Sequence, residues 1–223
     1  MTASQRGIVY GLLAAAIWGG MYVVSDVVLQ VIPPFTLLTI RLILGALVLG
    51  SLYVLRQNTE VKLTVVTRAD APPMSPPAPR LTRRDRVTLI GVGLIGFGVS
   101  VGAQFVGTDL STAVNGALIT SAAPAFILLF AALILREPLT LRRIAAVALA
   151  TVGVLLIIDP TQADFSSALF AGNAALALAA LTWGLYSVLV RRVSASIDTL
   201  IVTVIAFLGG LLLTIPASVI ELQ

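Results

Sequence analysis

The segment Gly7–Ile32, GIVYGLLAAAIWGGMYVVSDVVLQVI, decides how the chain is read. It is apolar almost throughout and exceeds the roughly 20 residues that cross the hydrocarbon layer of a bilayer. Near its middle stands Trp18-Gly19, and the chain's other Trp, Trp183, also precedes Gly. Superposing Trp18 on Trp183 places Gly7 on Gly172, Ala14-Ala15 on Ala179-Ala180, Gly19 on Gly184, Ile32 on Ile197 and Gly45 on Gly210. Small-residue matches are common in an apolar chain, but the Trp-Gly pair is not. The pattern is therefore read as two copies of one unit, the second incomplete.

Composition places the chain in a membrane. Hydrophobic residues make up 58% and charged residues 11% of it, against about 25% charged in a soluble domain, and the mean hydropathy is +1.05. Backbone polar groups must be satisfied within the hydrocarbon, so the spans are helices; the ten-residue alternation of a membrane barrel is absent. Gly7–Ile32 is too long for the apolar part of a signal peptide and is expected to be retained. Neither Cys nor His occurs. That removes disulfides, zinc and haem ligation, and His-based general bases, and no cofactor or metal is expected.

Seven spans are expected, near 8–32, 35–55, 87–107, 113–135, 141–158, 169–190 and 199–220. The fold class is thus an all-α, polytopic membrane helix bundle. Arg6, the basic residues between Arg56 and Arg86, Arg136, Arg142, Arg143, Arg191 and Arg192 all fall on one side, whereas Arg41 lies within a span. The bias sets the amino terminus in the cytoplasm, and it accounts for a pI near 10.1 without nucleic acid. The join at residues 56–86 holds a proline-rich run, Ala71–Pro79, expected to be an extended cytoplasmic linker, with partner docking as the alternative. Five spans per unit is an odd number, so the two copies, residues 1–158 and 169–223, face opposite ways, as in transporters with inverted repeats.

Several residues stand out as site candidates. Trp and Tyr favour the membrane interfaces, yet Trp18 with Tyr22 and Trp183 with Tyr186 lie near mid-span. They could wall a cavity for an apolar or aromatic solute, or simply fill space between helices. Asp26 and Arg41 lie at similar depth in adjacent spans and are expected either to pair or, for Arg41, to receive a substrate carboxylate. Asp26 is also the candidate for proton coupling. Gln104 and Asn115 add polar groups in the outer third, either in a wetted vestibule or as bonds between helices. The glycines of Gly91–Gly102 point to close helix packing or local unwinding. Pro124 lacks the N–H that would reach the Thr120 carbonyl, and it marks a kink or a hinge that Thr120 and Ser121 can compensate. Glu137, in the turn Arg136–Arg142, is expected to brace that turn through arginines.

These residues carry a resemblance. The run Ser111–Phe126, the turn REPLTL at Arg136–Leu141 and Ala148–Ile158 resemble helices four and five of an EamA repeat, of the drug/metabolite transporter superfamily. Trp18-Gly19, Pro33-Pro34 and Arg41 resemble helices one and two, and LAALTWG at Leu178–Gly184 resembles the opening of the second repeat. The resemblance implies a ten-helix carrier of the bacterial inner membrane that exports amino acids or other small metabolites. It is expected to move one repeat against the other, to meet only lipid and its solute, and to form, if anything, a homo-oligomer. It departs from the pattern in its long loop before Arg86 and in stopping after seven helices. The alternative expectation is a non-transporting membrane subunit, or a part needing a complementary chain. No protease or esterase motif is present, so an enzyme is not expected.

Overall fold

The computed structural model describes residues 3–67, 81–157, 160–194 and 197–223, with side chains at 3, 4, 21–23, 26, 58–67, 113, 157 and 160 outside the description. The proline-rich run Ala71–Pro79 and the side chains of Tyr22 and Asp26 thus lie outside the described residues. The helices are α1 (Ala3–Leu29), α2 (Pro34–Thr67), α3 (Arg83–Gly93), a π-helical segment (Leu94–Ser100), α4 (Val101–Asp109), α5 (Ala113–Thr120), α6 (Ala123–Ile134), α7 (Leu141–Ile157), α8 (Phe170–Val193) and α9 (Thr199–Glu221). Among the described residues, five stretches are long and apolar enough to cross a membrane: Pro34–Gln57, Arg83–Asp109, Val114–Ile134, Ser167–Val193 and Thr199–Glu221. Together with α1 and α7 they correspond to the seven expected spans, so the protein is an all-α, multi-pass membrane helix bundle. One boundary differs: α2 continues to Thr67 instead of ending near residue 55, because no Gly or Pro interrupts the chain before Pro72.

Two spans are not uniform. The glycine-rich third span is one continuous helix whose middle, Leu94–Ser100, widens to π geometry. The fourth breaks at Ser121-Ala122 between α5 and α6, which puts Pro124 in the first turn of α6, where its missing N–H costs no helical bond. Thr120 Oγ1 donates to the Gly116 carbonyl at 2.6 Å, and Ser121 Oγ to the Leu118 carbonyl at 2.6 Å. Ala122 N–H closes a tighter bond to Ile119 O at 3.2 Å. The expected compensation is what holds this break. Pro124→Ala should restore the continuous bond ladder and straighten the span, which spin labels on its two ends would report as a narrowed distance distribution.

The core gathers Leu29, Leu38, Leu42, Val101 and Phe105, with Leu37, Phe97, Trp183, Phe207 and Leu211 packed around it. Helices α2 and α9 run antiparallel with reciprocal contacts. Phe207 covers Gly45, where an added Cβ would lie 2.6 Å from its ring, and Leu42 covers Gly210, where a Cβ would lie 3.0 Å from its methyl. Superposing Trp18 on Trp183 puts Leu42 on Phe207 and Gly45 on Gly210, so each helix lays a large side chain from the equivalent position over the equivalent glycine of the other. The ends repeat the relation. Glu221, closing α9, accepts from Phe35 N–H at 3.0 Å and Thr36 N–H at 2.9 Å at the start of α2. Arg56, which falls on Glu221 in that superposition, bonds Asp198 at 3.1 Å, and Asp198 is the residue whose carboxylate caps α9.

Candidate functional site: an aromatic junction beside Arg41

The two mid-span tryptophans singled out in the sequence meet. The Trp18 and Trp183 ring centroids are 5.3 Å apart at 38°, and Tyr186 stands 5.0 Å from Trp183 at the same tilt. Such offset pairs contribute about 0.5–1.5 kcal/mol beyond area burial. Phe97, from the π segment, sets its ring edge-on to Trp183 at 6.2 Å, Tyr186 at 5.3 Å and Phe207 at 4.5 Å. Phe97 is the hub that sequence reasoning missed. Its neighbour Gly96 explains how Tyr186 gets so close: a Cβ there would overlap the Tyr186 ring. Tyr186 is buried, whereas Trp18 retains 39% exposure, leaving one wall of the junction open.

Arg41 reaches inward from α2. Its Nη1 donates to Ser25 Oγ on α1 at 3.1 Å, and its guanidinium lies 5.4 Å from the centre of the Phe105 ring on α4. A cation over a desolvated aromatic face contributes about 0.5–2 kcal/mol, which holds in place a guanidinium rich in N–H donors. Gln104, beside Phe105, is buried, and its backbone carbonyl accepts from Thr108 Oγ1 at 2.9 Å. The expected pairing of Asp26 with Arg41 falls on a side chain outside the description, as does the role expected of Tyr22.

Asn115 is placed elsewhere. Fully buried at the start of α5, it donates to Ser111 Oγ at 3.2 Å, to Asn173 Oδ1 at 2.9 Å and to the Asp164 carbonyl, and it accepts from Asp164 N–H at 3.0 Å. Ser111 Oγ donates to Asn173 at 2.6 Å. These polar groups thus form a knot fastening α5, α8 and the loop before it, with both ends of the Asn115 amide turned to protein. The Ser166 N–H, 2.8 Å from Asp164 Oδ1, and the Ser166 hydroxyl hold the Asp164 carboxyl below its ordinary range. A depressed folded value contributes stability above about pH 3.9 that is lost as pH falls through it. Asp164→Ala should therefore unfold at a lower temperature than the unsubstituted protein at pH 7, the two converging below about pH 4.

At the opposite end Glu137 braces its turn as expected, and it reaches further. It bonds Arg143 at 2.8 Å and Arg191, the last turn of α8, at 2.8 Å. Arg136 beside it adopts a left-handed backbone, φ 55°. Glycine adopts that conformation without the penalty of about 1–2 kcal/mol that other residues incur. Arg136→Gly is thus expected to raise the midpoint of thermal unfolding by a few degrees. Among the described residues no group of three or more potential metal ligands gathers.

The fold is that of a multi-pass membrane helix bundle, with aromatic and cationic side chains gathered at mid-span. Residues 5–159 match the EamA-like transporter family, and the chain belongs to that family. A Bacillus subtilis (strain 168) protein named uncharacterized transporter YyaM is 33% identical over 115 residues, which is 49% of this chain and 37% of that protein. One protein crystal structure superposes with a TM-score of 0.66 and 21% identity over 94% of this chain and 65% of that one, a likeness of fold alone. The chain therefore spans well under the full length of the relatives it matches.

Proposed function

We propose that the chain is the translocating part of a secondary carrier in the bacterial inner membrane, its amino terminus cytoplasmic, exporting a small organic solute by alternating access. In this reading residues 1–158 form one repeat and residues 169–223 open a second, inverted one. The observation that carries it is the apposition of Trp18 and Trp183 at 5.3 Å, one from each copy. Equivalent residues meeting in mid-membrane are what a pathway on a pseudo-two-fold axis requires. Trp18, Trp183 and Tyr186 would stack on an apolar or aromatic moiety while Arg41 takes a carboxylate, with Gln104 and Tyr22 completing the wall. Asn115 would shape the outer mouth, Asp26 would serve any proton coupling, and Pro124 would act as a hinge.

The test is solute efflux from cells expressing the protein, followed by metabolite profiling. Trp183→Ala and Arg41→Ala are each expected to lower efflux of the identified solute by about tenfold or more, the loss of some 1.4 kcal/mol or more, at unchanged membrane abundance. Unchanged efflux in both variants would remove the site assignment.

A second reading, a membrane subunit acting with a complementary chain, draws support from α1. Its residues 5–20 are exposed throughout, and a Cβ added at Gly7, Gly11 or Gly19 would meet nothing within 4 Å. Native electrophoresis of the protein in nanodiscs separates the two readings by particle size.

A further inference from the structure

Within the helices, the hydroxyls of Thr108, Thr120, Thr151, Thr182 and Thr203 each donate to the carbonyl four residues back. Thr39 on α2 and Thr214 on α9 do not. Thr214 is fully buried, Thr39 is 9% exposed, and the hydroxyl of neither has a hydrogen-bond partner. The two share one level of one contact. Thr39 precedes Leu42 by three residues and Thr214 follows Gly210 by four. Both therefore stand on the faces that meet at the Leu42–Gly210 seat, one turn nearer the end that Glu221 closes. A buried hydroxyl without a partner has given up its bonds to water and gained none in return.

Beyond this level Glu221 holds the start of α2, taking the amides of Phe35 and Thr36 and the Thr36 hydroxyl at 3.3 Å. Between Thr214 and Glu221, inside α9, lies Pro216. It has no N–H for the Leu212 carbonyl and crowds it, so the helix bends most readily over residues 212–216, the turn that carries Thr214. The close backbone seats of α9, at Phe207 over Gly45, Gly209 against Ile90 and Gly210 under Leu42, all precede Leu212. They stay packed when that turn bends.

The other end of the same helix pair is built differently. Superposing Trp18 on Trp183 sets Thr39 on Val204, Leu49 on Thr214 and Ser51 on Pro216. The end tied by Asp198 and Arg56 thus has apolar side chains where the Glu221 end has two hydroxyls, and a backbone N–H where it has proline.

We infer that residues 212–221 of α9 are a gate, shut in this structure. Glu221 latches it to the start of α2, against two hydroxyls that find partners when the helix ends part and water enters, and Pro216 is the hinge. The inference rests on the carrier reading for the use of the gate, one of the two that alternating access requires. The latch, the hydroxyls and the hinge stand without it.

The chain has no cysteine of its own, so spin labels can be set at cysteines on exposed positions: Ile40 and Val219 across the gate, Leu52 and Thr199 across the Asp198 end. Pulsed electron resonance would be measured on the full chain in nanodiscs of phosphatidylethanolamine and phosphatidylglycerol. The Ile40→Cys/Val219→Cys pair is expected to show a short and a long distance, and Leu52→Cys/Thr199→Cys only one. Glu221→Ala should raise the long fraction and Pro216→Ala should lower it. Thr39→Val and Thr214→Val, which keep the shape and remove the hydroxyl, should each raise the ratio of short to long by about fivefold or more, and each should unfold no lower than the parent. A lower midpoint in either valine variant would show that its hydroxyl has a partner in the shut state and would overturn the inference. So would a ratio that both valines leave unchanged, a single distance across the gate in every variant, or two distances at the Asp198 end. A gate that responds as stated in a protein moving no solute would keep the inference and remove the carrier reading; solute efflux with an unresponsive gate would do the reverse.

Discussion

Gly93→Leu is expected to prevent recovery of folded protein from detergent extracts, and Gly93→Ala to lower its unfolding midpoint sharply. A Cβ at Gly93 would overlap the carbonyl of Ala206, and a Cβ at Gly209 would overlap the carbonyl of Ile90. The obstruction is backbone in both directions, so no side chain can swing aside and the two helices must part. Inserting atoms into a well-packed core ordinarily costs about 1–3 kcal/mol. Here the separation would also unseat Phe97, whose Cβ lies 2.7 Å from the Cβ position of Gly210 on the same face, and the expected loss is at the upper end of that range for alanine. Gly91 supplies the control: two residues away on α3, a Cβ there would meet nothing within 4 Å. Gly91→Ala should hold or slightly raise the midpoint, since alanine favours a helix by up to about 1 kcal/mol over glycine. Tryptophan fluorescence during heating reads both. Equal midpoints for the two alanine variants would mean that α3 and α9 do not touch.

Asn115→Leu should be nearly as damaging, by a different route. The substitution preserves bulk and deletes every bond the amide makes to Ser111, Asn173 and Asp164. Ser111 and Asn173 keep their mutual bond, and Asn173 Nδ2 still donates to the Asp164 carbonyl at 3.2 Å, so the group left without its partner is the Asp164 N–H. At about 1–3 kcal/mol for a polar group left unpaired on burial, a loss within that range is expected. Hydrogen exchange should rise first in residues 160–166 and the opening turn of α8, before the bundle as a whole. Asn115→Asp should fall between the two, because it keeps the acceptor for Asp164 N–H and loses the donors. A uniform rise across all helices would instead assign Asn115 to global packing.

How much of this was legible in the sequence follows from which interactions are local. The spans were legible because length and apolarity decide them, and the break before Pro124 because a missing N–H acts within one turn. Glu137 was legible as a brace because Arg143 is six residues away; its second partner, Arg191, was not. The extension of α2 to Thr67 was missed because a bilayer boundary was taken for a helix boundary. Phe97 looked like one aromatic among glycines, and only the fold shows that those glycines let Tyr186 and α9 approach it. Trp18 and Trp183 were singled out as a pair from a repeat, and the fold brings them into contact, which no local rule could guarantee. Asn115 was noticed as polar at depth, yet its partners Asp164 and Asn173 come from beyond α7, out of reach of any spacing argument.

The carboxylate on the first turn of α2 belongs to Glu221, 186 residues after the Phe35 amide it accepts from. A ribosome therefore delivers α2 to the bilayer long before the group that closes its first turn exists. Until α9 arrives, those amides must make do with water and headgroups, and the helix start is free to fray. Insertion of the final described helix is then the act that seals an early one, and a nascent chain released before it would offer proteases an unsealed edge.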